Sequence, residues 1–158
     1  MDEVFSQIID LDTGVTREQS FSYHRLELGL LLEAKRYVLD AGFDLAHDYA
    51  DVMREMVEFD VLSRRPGDFV AEVGDTNYAT KSGASYITET IGMGLTTPHA
   101  QYVLTQGAQG TRPADLIDYS ASGYVIFRPE YAWENARDTR ILFDVSEHKV
   151  SHGHYDNT

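Results

Sequence analysis

Residues 119–128 read Tyr119-Ser120-Ala121-Ser122-Gly123-Tyr124-Val125-Ile126-Phe127-Arg128, and this stretch decides the fold class. Its run of aromatic and β-branched side chains after a glycine has the composition of a strand. Thr139 to Val145, centred on Ile141-Leu142-Phe143, has the same character. The two predict neighbouring antiparallel strands joined by an acidic and aromatic loop. Upstream the period is helical. From Ser22 to Asp40, Leu28, Leu31, Leu32 and Val38 recur on one broad apolar stripe, and Ala41-Gly42 supplies a stop. Leu45, Tyr49, Val52, Met53, Met56, Val57 and Val61 mark a second helix with Asp44 as N-cap, broken by Arg64-Arg65-Pro66-Gly67. Phe69 to Asp75 reads as a short extended piece ending in a turn. Further helical stretches are predicted within Ser85 to Met93 and from Pro98 to about Gln106. The loop Gly107 to Pro113 separates the two regimes. Helices followed by strands predict an α+β chain, divided into a helical part at 1–107 and a strand part at 114–158.

A hairpin of two strands has little stability of its own, and nothing upstream covers the apolar face of the first helix. The sequence is therefore expected to be a central slice of a larger protein. Its 158 residues, 42% of them apolar, still suffice for a packed core. The balance of 26 acidic against 13 basic residues gives a net charge of −13, which repels phosphate backbones and excludes nucleic-acid binding through a general basic field. Any polyanionic partner needs a local pocket of opposite charge. With no cysteine, thiolate metal sites, disulfides and cysteine nucleophiles are absent. The densest apolar stretch, Leu26 to Leu39, carries Glu27, Glu33, Lys35 and Arg36 and is too charged to span a bilayer. No signal-peptide pattern opens the chain.

Three clusters hold side chains able to do chemistry. At the end of the chain, Ser151-His152-Gly153-His154-Tyr155-Asp156-Asn157 places His152, His154 and Asp156 at alternate positions. In an extended segment these point to one face and suit a zinc ion. Glu18-Gln19-Ser20-Phe21-Ser22-Tyr23-His24-Arg25-Leu26-Glu27 is a polar turn opening the first helix, with His24 and Glu27 three apart on one face near its positive end. An anionic ligand group there would meet backbone N–H donors and a histidine held by a carboxylate. The bland alternative is a cap by Ser20 or Ser22 with a surface His–Glu pair. Third, Val73-Gly74-Asp75-Thr76-Asn77-Tyr78 sets a carboxylate and a phenol in a turn. His47, His99 and His148 have no partner spacing and read as structural or solvated.

Taken in order, Asp12-Thr13-Gly14, Glu18-x-Ser20-x-x-Tyr23-His24, Val73-Gly74-Asp75, Ser122-Gly123-Tyr124 with Arg128 closing the strand, and His152-Gly153-His154-x-Asp156 form a pattern. It resembles the heparinase II/III-type polysaccharide lyases, which include alginate lyases. The resemblance covers nearly all of this chain. It implies part of an α/α-toroid followed by the start of an antiparallel β-sandwich, and β-elimination on an acidic, uronate-containing polysaccharide. It also implies roles. His24, Tyr78 and His152 are the expected catalytic residues, with His24 near the substrate carboxylate and Glu27 orienting it. Gln19 stands where some members carry Asn and shares that contact, Arg25 supplies positive charge, and Arg17, Arg64 and Arg65 are further candidates. His154 is the expected first ligand of a structural zinc whose other ligands lie downstream, so the isolated chain is expected to be inactive.

Two rivals come from other classes. A metallo-β-lactamase-type zinc hydrolase has a His-x-His-x-Asp-His loop after a strand, but Asn157 stands where its last histidine belongs. A non-catalytic glycan-binding or assembly protein would keep the groove and lose the chemistry, against which His24, Tyr78 and His152 count.

Overall fold

The computed structural model describes residues 6–18, 20–43, 49–65, 70–74, 76, 89–129 and 139–145. Among these the helices are α1 (Phe21–Asp40), α2 (Ala50–Ser63) and α3 (Pro98–Leu104), with further helical residues at 6–8 and 89–92. The strands are β1 (Leu116–Tyr119), β2 (Tyr124–Phe127) and β3 (Ile141–Asp144), an antiparallel sheet in the order β1-β2-β3. The α+β class is as expected, and the change from helix to strand falls between Leu104 and Leu116.

Phe21, His24, Leu28 and Leu32 are the buried residues of α1, at the helical spacing of one stripe. Of the expected stripe Leu28 and Leu32 are buried and Leu31 and Val38 half-buried, while Leu26, Leu30, Tyr37 and Leu39, outside it, face solvent. At its end Ala41 N–H donates to Tyr37 O and Gly42, at φ 71°, donates to Leu39 O, which is the expected stop. At its start Ser20 is the N-cap residue, but its side chain makes no capping bond. Thr76 Oγ1 instead accepts from the Ser22 N–H at 3.3 Å while donating to Val73 O at 2.6 Å. The expected N-cap of the second helix, Asp44, and most of Ser85 to Met93 lie outside the described residues. Pro98 opens α3 as expected, with Thr97 Oγ1 accepting from the Ala100 N–H at 3.1 Å.

One strand expectation needs correction. Residues 119–128 are not a single strand: Tyr119 ends β1, Ser120–Ser122 form a 3-10 turn, and β2 begins at Tyr124. Asp118 Oδ1 accepts the Ser120 N–H at 2.8 Å, and Gly123 takes φ 97°, so the chain reverses within four residues. The sheet thus gains a third strand from inside the sequence, and β2 pairs on both sides, with Ile126 opposite Ile117 and Leu142.

Two cores meet at α2. Leu28 and Leu32 of α1, Met53, Met56, Val57, Val61 and Leu62 of α2, and Ala100 and Val103 of α3 make a helical core with Leu95. Phe21, Phe59, Tyr119, Tyr124 and Ile126, with Val15, Val70 and Ala71, make an aromatic core joining helices to sheet. Phe59 is its hub: its ring stacks on Phe21 at 5.2 Å and meets Tyr119 edge-on at 5.2 Å and Tyr124 at 5.4 Å. Phe59→Leu keeps the burial and loses these ring contacts. It is expected to lower stability by about 1–2 kcal/mol in urea unfolding; an unchanged midpoint would show that the rings contribute nothing beyond area.

Candidate functional site

The site is built on the facing sides of α1 and α2. Of the residues expected to act, His24, Arg25 and Glu27 are described, and Gln19, Tyr78, His152 and His154 lie outside the described residues. His24 is 1% exposed, so the reading of a surface His–Glu pair does not apply. Its Nε2 lies 2.9 Å from Met56 O. A carbonyl only accepts, so Nε2 carries the proton and Nδ1 carries the lone pair. The ring also meets Phe59 edge-on at 5.1 Å. Burial pulls the His24 pKa below its ordinary value; the Asp60 charge and the Met56 bond oppose this without reversing it, and Arg25 adds to the lowering. His24 is therefore neutral at physiological pH.

One turn after Met56, Asp60 projects from the same face of α2 and is 1% exposed. Its Oδ2 accepts from Arg64, and its Oδ1 lies 3.8 Å from Arg25 Nε. Burial would raise its pKa, yet Arg64 and Arg25, the Arg64 hydrogen bond and His24 together hold the carboxyl below the usual range. Asp60 is thus a buried anion with a cation from each helix on its two oxygens. Sequence reading passed over it. Its signal was there in Asp60 and Arg64, four apart at the end of a helix, with the acid inside the apolar run Phe59-Asp60-Val61-Leu62.

The proposed cations sort by burial. Arg64 is fully buried against Asp60, Arg65 is paired with Glu72, and Arg17 Nε donates to Ser6 O at 2.9 Å. Arg64 cannot meet a surface ligand because its charge is spent inside the fold. Arg25 is also paired with Asp60, but its side chain keeps 17% exposure where that of Arg64 keeps 1%. His99, read from sequence as lacking a partner, has Nδ1 3.2 Å from Glu58 Oε1.

Glu27 is half-buried, and its carboxyl is pushed up to about 7, first by burial and then by the Glu18 charge. The folded state therefore holds a proton that the unfolded chain releases near the ordinary value of 4.5. Between those values the native state binds more protons, so stability falls as pH rises from 4.5 through about 7 and then levels off. Glu27→Gln removes this loss. After discounting for solvent screening at a half-exposed group, it is expected to stabilise by about 1–2 kcal/mol at pH 8 and to be neutral at pH 4. Melting curves at the two pH values check this; a gain equal at both would assign the effect to something other than ionisation.

The sequence motifs also converge. Gly14, at φ 68°, lies against the backbone of α2, where an added Cβ would come within 2.8 Å of Glu55 Cβ. The adjacent Thr13 Oγ1 is hydrogen-bonded to Ser122 Oγ at 2.6 Å, and Ser122 Oγ donates to Asp10 Oδ2 at 3.1 Å. Tyr124 packs on Phe21 at 5.4 Å, three residues before His24. Arg128 is fully buried and reaches Arg64 O at 3.3 Å. Asp12-Thr13-Gly14 thus meets Ser122-Gly123-Tyr124 and α2, and Tyr124 in turn packs on the first residue of α1. No group of three or more His, Asp or Glu able to hold a metal occurs among the described residues, and no helix there is long and apolar enough to cross a membrane.

No family model, curated protein or solved structure matches this chain.

Proposed function

We propose that this chain carries part of the catalytic machinery of a polysaccharide lyase acting on an acidic, uronate-containing polymer. The observation that supports the reading is the Thr13–Ser122 hydrogen bond, with Tyr124 packed on Phe21: motifs 109 residues apart, recognised by their order, meet each other and the start of α1. In the finer architecture proposed, α1 to α3 belong to an α/α-toroid and β1 to β3 start a β-sandwich. The outer face of the sheet supports this, because Leu116, Ile141 and Phe143 are exposed on the side away from the helices, where a second sheet would lie.

In the proposed reaction the uronate carboxylate is neutralised by fixed donors, which makes the C5 proton acidic enough to remove. The C5–H electron pair forms the C4–C5 double bond as the C4–O bond breaks, and an acid protonates the departing glycosidic oxygen. Arg25 and Gln19 are the proposed contributors to neutralisation, and Tyr78 is the proposed acid and, on one face of the sugar, also the base. His152 is the second proposed proton-transfer group. His154 is the proposed ligand of a zinc that orders its loop and takes no part in the elimination.

The reading is tested with the longest natural form of the protein on alginate, heparan-type and hyaluronan-type polymers, following the ultraviolet absorbance of the unsaturated product. Product from one of the three is expected. None from any uronate, with turnover of an ester or lactam instead, would replace the lyase with the metallohydrolase.

A further inference from the structure

Arg140-Ile141-Leu142-Phe143-Asp144 carries opposite charges at its ends and apolar side chains between them. The last four of these residues are β3, which among the described residues has a neighbour on one side only, β2. The Val145 N–H donates to Gly123 O at 2.8 Å, and in an antiparallel ladder the hydrogen-bonded pairs alternate from there. The backbone groups of Ile141 and Phe143 therefore face β2. Those of Leu142 point to the other side, where neither its N–H nor its C=O has a partner among the described residues. Natural sheets protect such an edge with a proline, a lysine or a bulge, and β3 has none of these. Its side chains alternate. Ile141 and Phe143 are 42% and 53% exposed on the face away from the helices, while Leu142 packs against the aromatic core on the other. Arg140 and Asp144 share the Leu142 side, and the Arg140 guanidinium donates to Ser63 O there.

We infer that this edge pairs with the same edge of a second copy of the chain, antiparallel about a two-fold axis at Leu142. In that register Leu142 lies opposite Leu142 of the second copy, and the two exchange both of their edge hydrogen bonds. Ile141 stands opposite Phe143 twice on the exposed face, and Arg140 opposite Asp144 twice on the helix side. Charge selects both the occupant and the register. A reversed copy of the segment sets each cation on an anion, whereas a parallel copy would set Arg140 on Arg140 and Asp144 on Asp144. A slip by one residue would turn the exposed apolar pair onto the wrong face. Two three-stranded sheets thus join into one of six strands. The inference does not depend on the lyase reading, and it leaves the outer face of the sheet open to the second sheet proposed above.

The test is sedimentation equilibrium of the full 158-residue chain between about 1 μM and about 1 mM, at about 0.15 M salt to screen the −13 charge of each copy. A closed monomer–dimer equilibrium is expected, with hydrogen exchange at the Leu142 amide slowing as concentration rises. Asp144→Arg and Arg140→Asp are each expected to weaken the dimer at least about tenfold, because either change turns both attractive pairs into repulsive ones. Mixing the two variants is expected to restore association to within about threefold of the wild type, since the heterodimer sets two arginines against two aspartates. Damage to the fold of either variant could not produce that recovery. A chain that stays monomeric throughout, its edge closed by other residues of the same chain, would overturn the inference. So would open-ended assembly, a dimer whose Leu142 amide exchanges as fast as in the monomer, an affinity that Asp144→Arg leaves unchanged, or a mixture that remains monomeric.

Discussion

Asp60→Ala is expected to destabilise the protein by about 3–5 kcal/mol, because removing one member of a buried ion pair strands the other. Arg64 is fully buried, so its guanidinium would be left in the core without its carboxylate. Arg25 would lose the anion 3.8 Å from its Nε at the same time. The loss should be much smaller in Asp60→Leu with Arg64→Met, since replacing a buried pair by apolar residues of similar volume is often neutral. Urea unfolding of the two single variants and the double variant decides it. Additive losses would mean that the pair is not coupled. The pH dependence follows the same logic with a sign opposite to that of Glu27. The Asp60 carboxyl is held below its ordinary 3.8, so its contribution is present above that value and is lost as pH falls through its lower folded value. His24 adds to the acid limb: neutral in the fold and protonated in the unfolded chain below 6.5, it withdraws stability as pH drops below that point.

The second large effect concerns turnover. If the lyase reading holds, Tyr78→Phe in the active protein should lower kcat by at least about a hundredfold, the usual loss for a proton-transfer group, with KM within about twofold. A phenyl ring has nearly the same size and shape and removes only the hydroxyl that would protonate the leaving oxygen. Product formation at the wild-type rate would take Tyr78 out of the chemistry. A rise in KM with kcat unchanged would make it a binding residue instead.

The helices and strands were largely legible because each depends on a local pattern. Leu28 and Leu32 at four-residue spacing, Gly42 after Ala41, Pro98 after Thr97 and the run Tyr124–Phe127 each carry their own steric or solvation signal. The missed strand β1 shows where such signals stop. Leu116–Tyr119 includes Asp118, whose acidity disguised the strand, and only the Asp118–Ser120 turn and pairing with β2 made it one.

What the amino-acid sequence determined alone was therefore the element types, the acidic surface and the order of motifs, all properties of near neighbours along the chain. Only the tertiary structure decided that His24 is a buried neutral acceptor. Its protonation depends on the carbonyl of Met56 and on exclusion of water by α2, which lie 32 residues away in sequence. The same holds for Asp60 and Arg64, whose charges look like solvated surface until packing removes the solvent. Burial and hydrogen bonding between distant residues set the chemistry of these groups, and no local pattern encodes either.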